Sequence, residues 1–366
     1  MRVGTGVRPR PNGCYTRSDQ PLVESLVRVL PDSLPRLVGH QWALDAIARQ
    51  AVSQRRAHAY LVTGPPHVGK FTTGLEIARL FLCAETPACG DCRHCRLAAR
   101  RAHPDLRILE IPADRKTIPI KDVHDFMQGI ALKPLEAALK VYVIRGAEDL
   151  SEEGGNALLK TIEEPPPGVT LVLTAPSASA LLPTIVSRCQ TINLRRVPQQ
   201  DIAEHLIAVH QMEPEQARVL AAASQGLPGW AIIATDKQEL LEERHDRARD
   251  LLRLLSADRL ERIRYADDLG DEWSNHADDV RDVLETWTDV WRAALLAQGG
   301  LGSRAVAVTG REDLGAAASI LEPEAVQSAL ASTLELSESL DRNAHPRLAL
   351  EAYVLHLPRL PAAQRV

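Results

Sequence analysis

The chain has 366 residues, 45% of them hydrophobic, enough for two or three domains with cores of their own. Its 43 basic and 48 acidic residues leave a net charge of −5, which gives no sign of a protein that grips DNA alone through a basic face. No run of 18 or more apolar residues and no basic-then-apolar leader is present, so a cytoplasmic protein without membrane contact is expected.

Residues 1–32 are rich in Arg, Pro, Gly and polar residues up to Gln20 and then carry an apolar patch from Leu22 to Leu30, the composition of a flexible tail. From 33 to 196, helical periodicity alternates with β-rich runs at Tyr60-Leu61-Val62, Leu106 to Ile111, Val141 to Ile144 and Thr170 to Thr174. That alternation predicts an α/β domain with a mostly parallel sheet covered by helices. Val197-Pro198 marks a break, after which residues 197–246 predict a small helical domain and residues 247–366 a set of long helices. In the last of these, Leu251, Leu252, Leu254 and Leu255, and then Val283, Leu284, Trp287, Val290 and Trp291, fall at helical spacing. The tryptophans on such a face are expected in a core or a subunit interface rather than on a platform for stacking bases.

Between the first β-rich run and the helix that follows it lies Gly64-Pro65-Pro66-His67-Val68-Gly69-Lys70, a match to the phosphate-binding pattern GxxxxGK[ST] through its lysine. In such loops backbone N–H groups wrap phosphates, the lysine reaches the terminal phosphates, and the last hydroxyl ligates Mg²⁺. Here Phe71 stands where the hydroxyl belongs. Thr72 and Thr73 follow, but each step along a helix turns the side chain by about 100°, so neither inherits the metal-facing direction. The second half of an NTP site is a buried strand ending in acids that hold the metal and activate water. The candidate strand, Val141 to Ile144, ends instead in Arg145-Gly146, with Glu148 and Asp149 beyond it. Two departures thus remove the metal ligands from both sides of the site, leaving ATP or ADP as a ligand that is held, if at all, without hydrolysis.

Cys83, Cys89, Cys92 and Cys95 follow in the spacing C-x5-C-x2-C-x2-C, with Gly90-Asp91 permitting a tight turn. Thiolates at this density suit tetrahedral Zn²⁺ in a closed structural site. A cytosolic chain keeps its thiols reduced, which opposes the disulfide alternative. His94 or His103 could replace one ligand, while Cys14 and Cys189 lie too far along the chain to be assigned to the cluster.

Together with these features, Asn156-Ala157-Leu158-Leu159-Lys160-Thr161-Ile162-Glu163-Glu164-Pro165-Pro166 and Ser187-Arg188-Cys189 resemble the NALLKxLEEPP and SRC motifs of bacterial DNA polymerase III clamp-loader subunits, a branch of the AAA+ proteins. Leu37-Val38-Gly39-His40 and His58-Ala59-Tyr60 match as well, so the resemblance runs over roughly residues 35–230. It implies an AAA+ P-loop domain with an inserted zinc module at 83–95, a helical lid at 197–246, and an all-α collar or oligomerisation domain at 247–366. It also implies a hetero-pentamer with delta and tau/gamma subunits that loads the sliding clamp onto primer-template DNA.

Active members of the family keep the loop hydroxyl, the acidic pair and a lid arginine that senses the γ-phosphate. Gln225-Gly226-Leu227-Pro228-Gly229-Trp230-Ala231 occupies the place of that arginine and has none, a form similar to delta-prime subunits. The resemblance therefore implies a non-hydrolysing delta-prime role, with Arg188 as a trans arginine finger for a neighbour's ATP. Glu163-Glu164, abutting three prolines, is read as a helix-ending surface pair rather than as acid/base catalysts, with subunit contact implied by the family. Two other readings stay open: an active tau/gamma-like ATPase that rebuilds its metal site from Thr72 and Glu148, and a zinc-containing nucleic-acid adaptor using Arg93, His94, Arg96, Arg100 and Arg101.

Overall fold

Three strands that are buried along their entire length dictate the first half of the architecture. A computed structural model describes residues 37–52, 56–85, 88–112, 115, 117–237, 239–302, 320–342 and 344–360. The expected tail at 1–32, Cys14 and the last six residues of the expected C-terminal domain lie outside the described residues. The chain divides between Arg195 and Arg196 into two compact units.

In the first unit the elements run α1 (Gln41–Val52), β1 (Ala59–Thr63), α2 (Lys70–Leu82), α3 (Arg93–Ala99), β2 (Leu106–Leu109), α4 (Ile120–Met127) and β3 (Lys140–Ile144). They continue with α5 (Glu152–Glu163), β4 (Val169–Ala175), α6 (Pro183–Val186) and β5 (Gln190–Asn193). The strands form one parallel sheet in the order β2-β3-β4-β1-β5. Every residue of β1, β3 and β4 is buried, as continuous apolar runs must be when both faces of a parallel sheet are covered. The edge strands β2 and β5 carry exposed residues in their middles. Register is set by pairs such as Tyr60 with Val172 and Val143 with Val172, so β4 sits at the centre beside both the phosphate-loop strand and the strand that leads into Arg145. Ser151 starts α5 by accepting the Gly154 N–H at 3.1 Å, which satisfies one of the orphan donors of a helix start.

The second unit is helical throughout its described residues: α7 (Gln199–His210), α8 (Pro214–Ala223), α9 (Pro228–Asp236), α10 (Glu239–Ser256), α11 (Arg259–Asn275), α12 (Ala277–Gln298), α13 (Pro323–Asp341) and α14 (Pro346–His356). The boundary expected between residues 246 and 247 falls within α10, which is continuous. Trp287 and Trp291 are fully buried in the core with Leu251, Leu254 and Leu255. Trp287 stacks between Tyr265 and Tyr353 at centroid distances of 5.9 and 5.8 Å and donates its indole N–H to the Arg247 carbonyl at 3.0 Å. Those contacts place it in this unit's interior and leave no face for a base.

One cation is buried in that core. Arg262, on the first turn of α11, is 1% exposed. Its Nε donates to Leu254 O at 2.9 Å, Nη1 to Val354 O and Leu357 O at 3.2 and 2.7 Å, and Nη2 to Leu255 O and Pro358 O at 3.5 and 3.0 Å. These carbonyls close the C-terminal ends of α10 and α14, where the last turns leave acceptors without partners and the helix dipole is negative. A single planar guanidinium thereby ties two helix ends to a third helix.

Candidate nucleotide and metal sites

The phosphate-loop candidate lies where β1 gives way to α2. Gly64 adopts φ 150°, and a Cβ there would stand 2.7 Å from the Leu194 carbonyl, so only glycine lets the loop leave the sheet at this point. His67 and Gly69 also have positive φ, at 57° and 100°, giving the loop its curl before Lys70 opens the helix. Buried His40 braces the curl from outside, its Nε2 lying 3.1 Å from the Val68 carbonyl. Lys70 does not project into open space. Its Nζ donates to the carbonyls of Gly64 and Pro65, both at 2.8 Å, and burial holds its pKa below the usual lysine value against the opposing field of Glu148.

The metal side of the site has been rebuilt from cations. The Phe71 ring lies under two guanidinium groups, that of Arg101 at 4.7 Å and that of Arg145 at 5.1 Å from its centroid. Arg145 is paired in turn with Glu110 at 3.2 Å. A divalent cation would meet positive charge and an aromatic ring here, where a metal site needs oxygen ligands. Gly146, the next residue, takes φ 74° and donates its N–H to Thr174 Oγ1 at 3.0 Å. Glu148 and Asp149 lie in a short 3-10 turn after β3. Burial, with the Asp149 charge beside it, raises the Glu148 carboxyl above the usual range. Thr73 Oγ1 bonds back to the Gly69 carbonyl at 2.9 Å, the ordinary fate of a threonine within a helix.

The four cysteines come together. Cys83 caps the end of α2, Cys92 caps the start of α3, Cys95 lies on α3, and Cys89 precedes the turn at Gly90, whose φ is 81°. The Cys83 sulfur is 3.7 Å from that of Cys89 and 3.8 Å from that of Cys92, and all four sulfurs lie within 4.8 Å of one another. Sulfurs at about 2.3 Å from one tetrahedral zinc are about 3.8 Å apart. A disulfide would need about 2.05 Å. Backbone N–H groups of Cys89, Gly90 and Cys95 point at the sulfurs of Cys83, Cys95 and Cys92, at 3.4, 3.3 and 3.4 Å. Such donors stabilise thiolates, and the donor set fits a metal ion.

His94 and His103 do not join the cysteine set. They face each other, His94 Nδ1 to His103 Nε2 at 2.9 Å, with Glu136 close enough to make a second group of ligand type. The Asp105 N–H donates to His103 Nδ1 at 3.0 Å, so that nitrogen carries no proton. Burial, reinforced by His94, keeps His103 below the usual imidazole pKa and hence neutral, which puts its one proton on Nε2. Neither nitrogen of His103 then has a lone pair for a metal, and Glu136 is already paired with Arg93. The pair is a strut. It continues through Asp105, whose carboxylate accepts the N–H groups of Leu135, Glu136 and Ala137 at 2.7, 2.8 and 2.8 Å, fastening that loop to the base of the cysteine module.

Arg188 follows α6 and is about two-fifths exposed, with Nη1 on Thr184 O at 3.0 Å and Ser187 Oγ at 3.2 Å, and Nη2 on Glu163 Oε1 at 3.0 Å. Glu163 closes α5, so the two motifs meet in space. Cys189 packs against the sheet core, and burial pushes its thiol up to about 11, the state of an inert structural cysteine. In the second unit Gln225 and Gly226 both take positive φ, 54° and 79°. A Cβ on Gly226 would lie 2.7 Å from the Val197 carbonyl, which requires glycine in this turn before α9.

A family model described as DNA polymerase III, delta subunit, matches residues 39–198. A Haemophilus influenzae protein named DNA polymerase III subunit delta' is 34% identical over 190 residues, 51% of this chain and 57% of its own length. Its Bacillus subtilis counterpart is 33% identical over 192 residues, 52% of this chain and 57% of its own. Over this stretch the chain is delta-prime-like. The Haemophilus influenzae tau/gamma subunit is also related, at 31% identity over 223 residues, 58% of this chain and 32% of that one. The chain thus spans between about a third and somewhat over half of these relatives' lengths. A solved Thermotoga maritima gamma-subunit-related protein aligns over 86% of this chain and 98% of its own at 17% identity and TM-score 0.38, too loose a likeness to add to the sequence relation. Among the described residues no helix is long and apolar enough to cross a membrane.

Glu110, Asp105, the place of Arg101 over Phe71 and the pairing of Glu163 with Arg188 are additions that the sequence pattern did not single out. Glu163 and Arg188 stood in separate recognised motifs and Arg101 in a basic cluster; Glu110 and Asp105 carry no local signal.

Proposed function

We propose that the chain is the delta-prime subunit of a bacterial DNA polymerase III clamp loader, a non-hydrolysing member of a ring with delta and tau/gamma subunits that places the sliding clamp on primer-template DNA. The observation that carries this reading is Phe71 held under Arg101 and Arg145, in a delta-prime-like unit, where an active site would hold Mg²⁺. The four cysteines would hold a structural Zn²⁺. ATP or ADP bound at Gly64 to Lys70 would stay intact, since neither the metal nor a water-activating acid is provided for. Residues 33–196 would serve as the AAA+ domain, and the helices of the second unit as the lid, up to α9, and the collar, from α10 onward, that joins the other subunits.

The competing reading as an active ATPase is disfavoured by the two cations at the metal position. The reading as a nucleic-acid adaptor loses part of its basic surface, since Arg93 is tied to Glu136, Arg96 to the Asp91 carbonyl, and Arg101 to Phe71. The isolated chain is expected to turn over ATP no faster than a buffer blank in a phosphate-release assay. Sustained turnover that Lys70→Ala abolishes would refute the assignment.

Within the assembled loader, Arg188 would act on a neighbour's ATP, stabilising the charge that spreads over the transferring phosphoryl group. Arg188→Ala is expected to assemble normally, because a half-exposed ion pair contributes about 1 kcal/mol or less. DNA- and clamp-stimulated ATP hydrolysis should fall, by less than the about 10³- to 10⁵-fold seen for a single site, because other interfaces keep their own arginines. Arg188→Lys should rescue only part, an ammonium lacking the planar fork. Unchanged ATPase in the mutant assembly would make Arg188 an ordinary surface residue.

A further inference from the structure

Both terminal nitrogens of Arg188 are taken by its own chain. Thr184 O and Ser187 Oγ belong to the same turn as Arg188 and move with it. Glu163 Oε1, at 3.0 Å from Nη2, comes from a different element, the last residue of α5. It is the contact that fixes where the guanidinium points. A guanidinium engages phosphate through two parallel N–H donors, so Arg188 cannot present its fork to a nucleotide while Nη2 stays on Glu163.

We propose that Glu163 restrains Arg188, holding the guanidinium on its own subunit until the phosphate of a nucleotide in the neighbouring subunit displaces the carboxylate. This rests on the reading of Arg188 as a trans-acting arginine. The exchange balances in charge and hydrogen bonds. One carboxylate oxygen gives way to phosphate oxygens of higher charge, and the freed Glu163, 46% exposed on its side chain, returns to water. The strength of the hold suits a reversible latch. With Arg188 39% exposed, the pair is a surface one, weak enough for a triphosphate to outcompete and strong enough to bias an empty interface. A ligand can shift such an equilibrium only by its differential affinity for the two states, and here that difference is the phosphate's two contacts against the carboxylate's one. The motif that ends α5 and the motif that carries the arginine are on this account two halves of one device.

The test uses the loader reconstituted from all its subunits, with this chain as wild type, Glu163→Gln, Arg188→Ala or the double variant, and measures ATP turnover without DNA. Glu163→Gln keeps the shape and removes the charge, so DNA-independent turnover is expected to rise about two- to five-fold, the scale of a surface ion pair. The gain should appear as a lower KM for ATP, and it should vanish in the Arg188→Ala background. It should also shrink as salt is raised, since screening weakens the pair in the wild type. If Arg188→Ala slows turnover while Glu163→Gln leaves it unchanged or lowers it, the restraint is refuted and the trans arginine stands. A gain that persists without Arg188 refutes it equally, because Glu163 would then act through another group. No effect of Arg188→Ala removes the underlying reading, and the restraint with it.

Discussion

The purified chain is expected to carry one zinc ion, and stripping it should open the segment from Cys83 to His103 while leaving the sheet folded. Structural zinc in small modules contributes about 10 to 16 kcal/mol of apparent binding energy at neutral pH, far more than the local packing can replace. The one helix among the module's described residues, α3, has seven residues, well under the about 12 to 15 at which an isolated helix becomes marginal in water. The buried side chains of the segment are few and small, chiefly Ala88, Cys95 and Ala98, with His103 at its end. Arg93, Arg96, Arg100 and Arg101 lie within or beside α3, so trypsin reports the opening directly. Cleavage there should accelerate at least about tenfold after chelation, as expected when a local opening free energy falls by more than 1.4 kcal/mol. Cys→Ser at all four positions should abolish metal content with the same proteolytic signature. Purified protein free of zinc, or resistant to trypsin at these arginines after chelation, would overturn the site.

The second large effect belongs to Arg262. Replacing it by Met keeps much of the stem and removes the charge, stripping its donors from the carbonyls of Val354, Leu357 and Pro358 in a buried site, while those of Leu254 and Leu255 keep the N–H groups of Ala257 and Leu360. Each buried acceptor stripped of its partner costs about 1 to 3 kcal/mol, and removing one member of a buried charged network costs about 3 to 5 kcal/mol. Domains are stable by about 5 to 15 kcal/mol, so the second unit should lose most of its margin or fail to fold. Arg262→Lys should recover little, because three donors on one nitrogen cannot reach five carbonyls spread around a plane. Tryptophan fluorescence isolates the effect, since Trp230, Trp273, Trp287 and Trp291 all lie in the second unit and only Trp42 in the first. A urea midpoint for that signal within about 0.5 M of wild type would show that water replaces the guanidinium, as m-values of about 1 to 3 kcal/mol per molar make that a small change.

How much of this was legible in the sequence depends on how far apart the cooperating residues lie. The phosphate-loop pattern and the cysteine spacing are written within short stretches, because the geometry they encode is local: a turn that needs glycine, and sulfurs brought together by a cap and a helix. The parallel sheet was legible for a similar reason, since β1, β3 and β4 are apolar runs that only a doubly covered sheet would bury whole. Arg262 was not legible. It is one of 43 basic residues, and its burial depends on two helix ends that close only when α10, α11 and α14 are assembled. Phe71 was recognised as an obstacle to Mg²⁺, but the two arginines lying over it come from the end of α3 and the end of β3, and no periodicity links them. The histidines were candidates for zinc ligation on residue type alone. A single backbone donor, the Asp105 N–H, fixes the tautomer of His103, and His94 faces that ring rather than the cysteines.

The strand order carries a consequence for the birth of the protein. β1 leaves the ribosome before its sheet neighbours β4 and β5, which are encoded more than a hundred residues later. At about 5 to 20 residues per second, an apolar strand that ends up wholly enclosed waits on the order of 5 to 20 s for a partner on either side. Until then Tyr60, Leu61 and Val62 are available to any other unpaired edge in reach, and β1 is where nascent-chain chaperones should find a target.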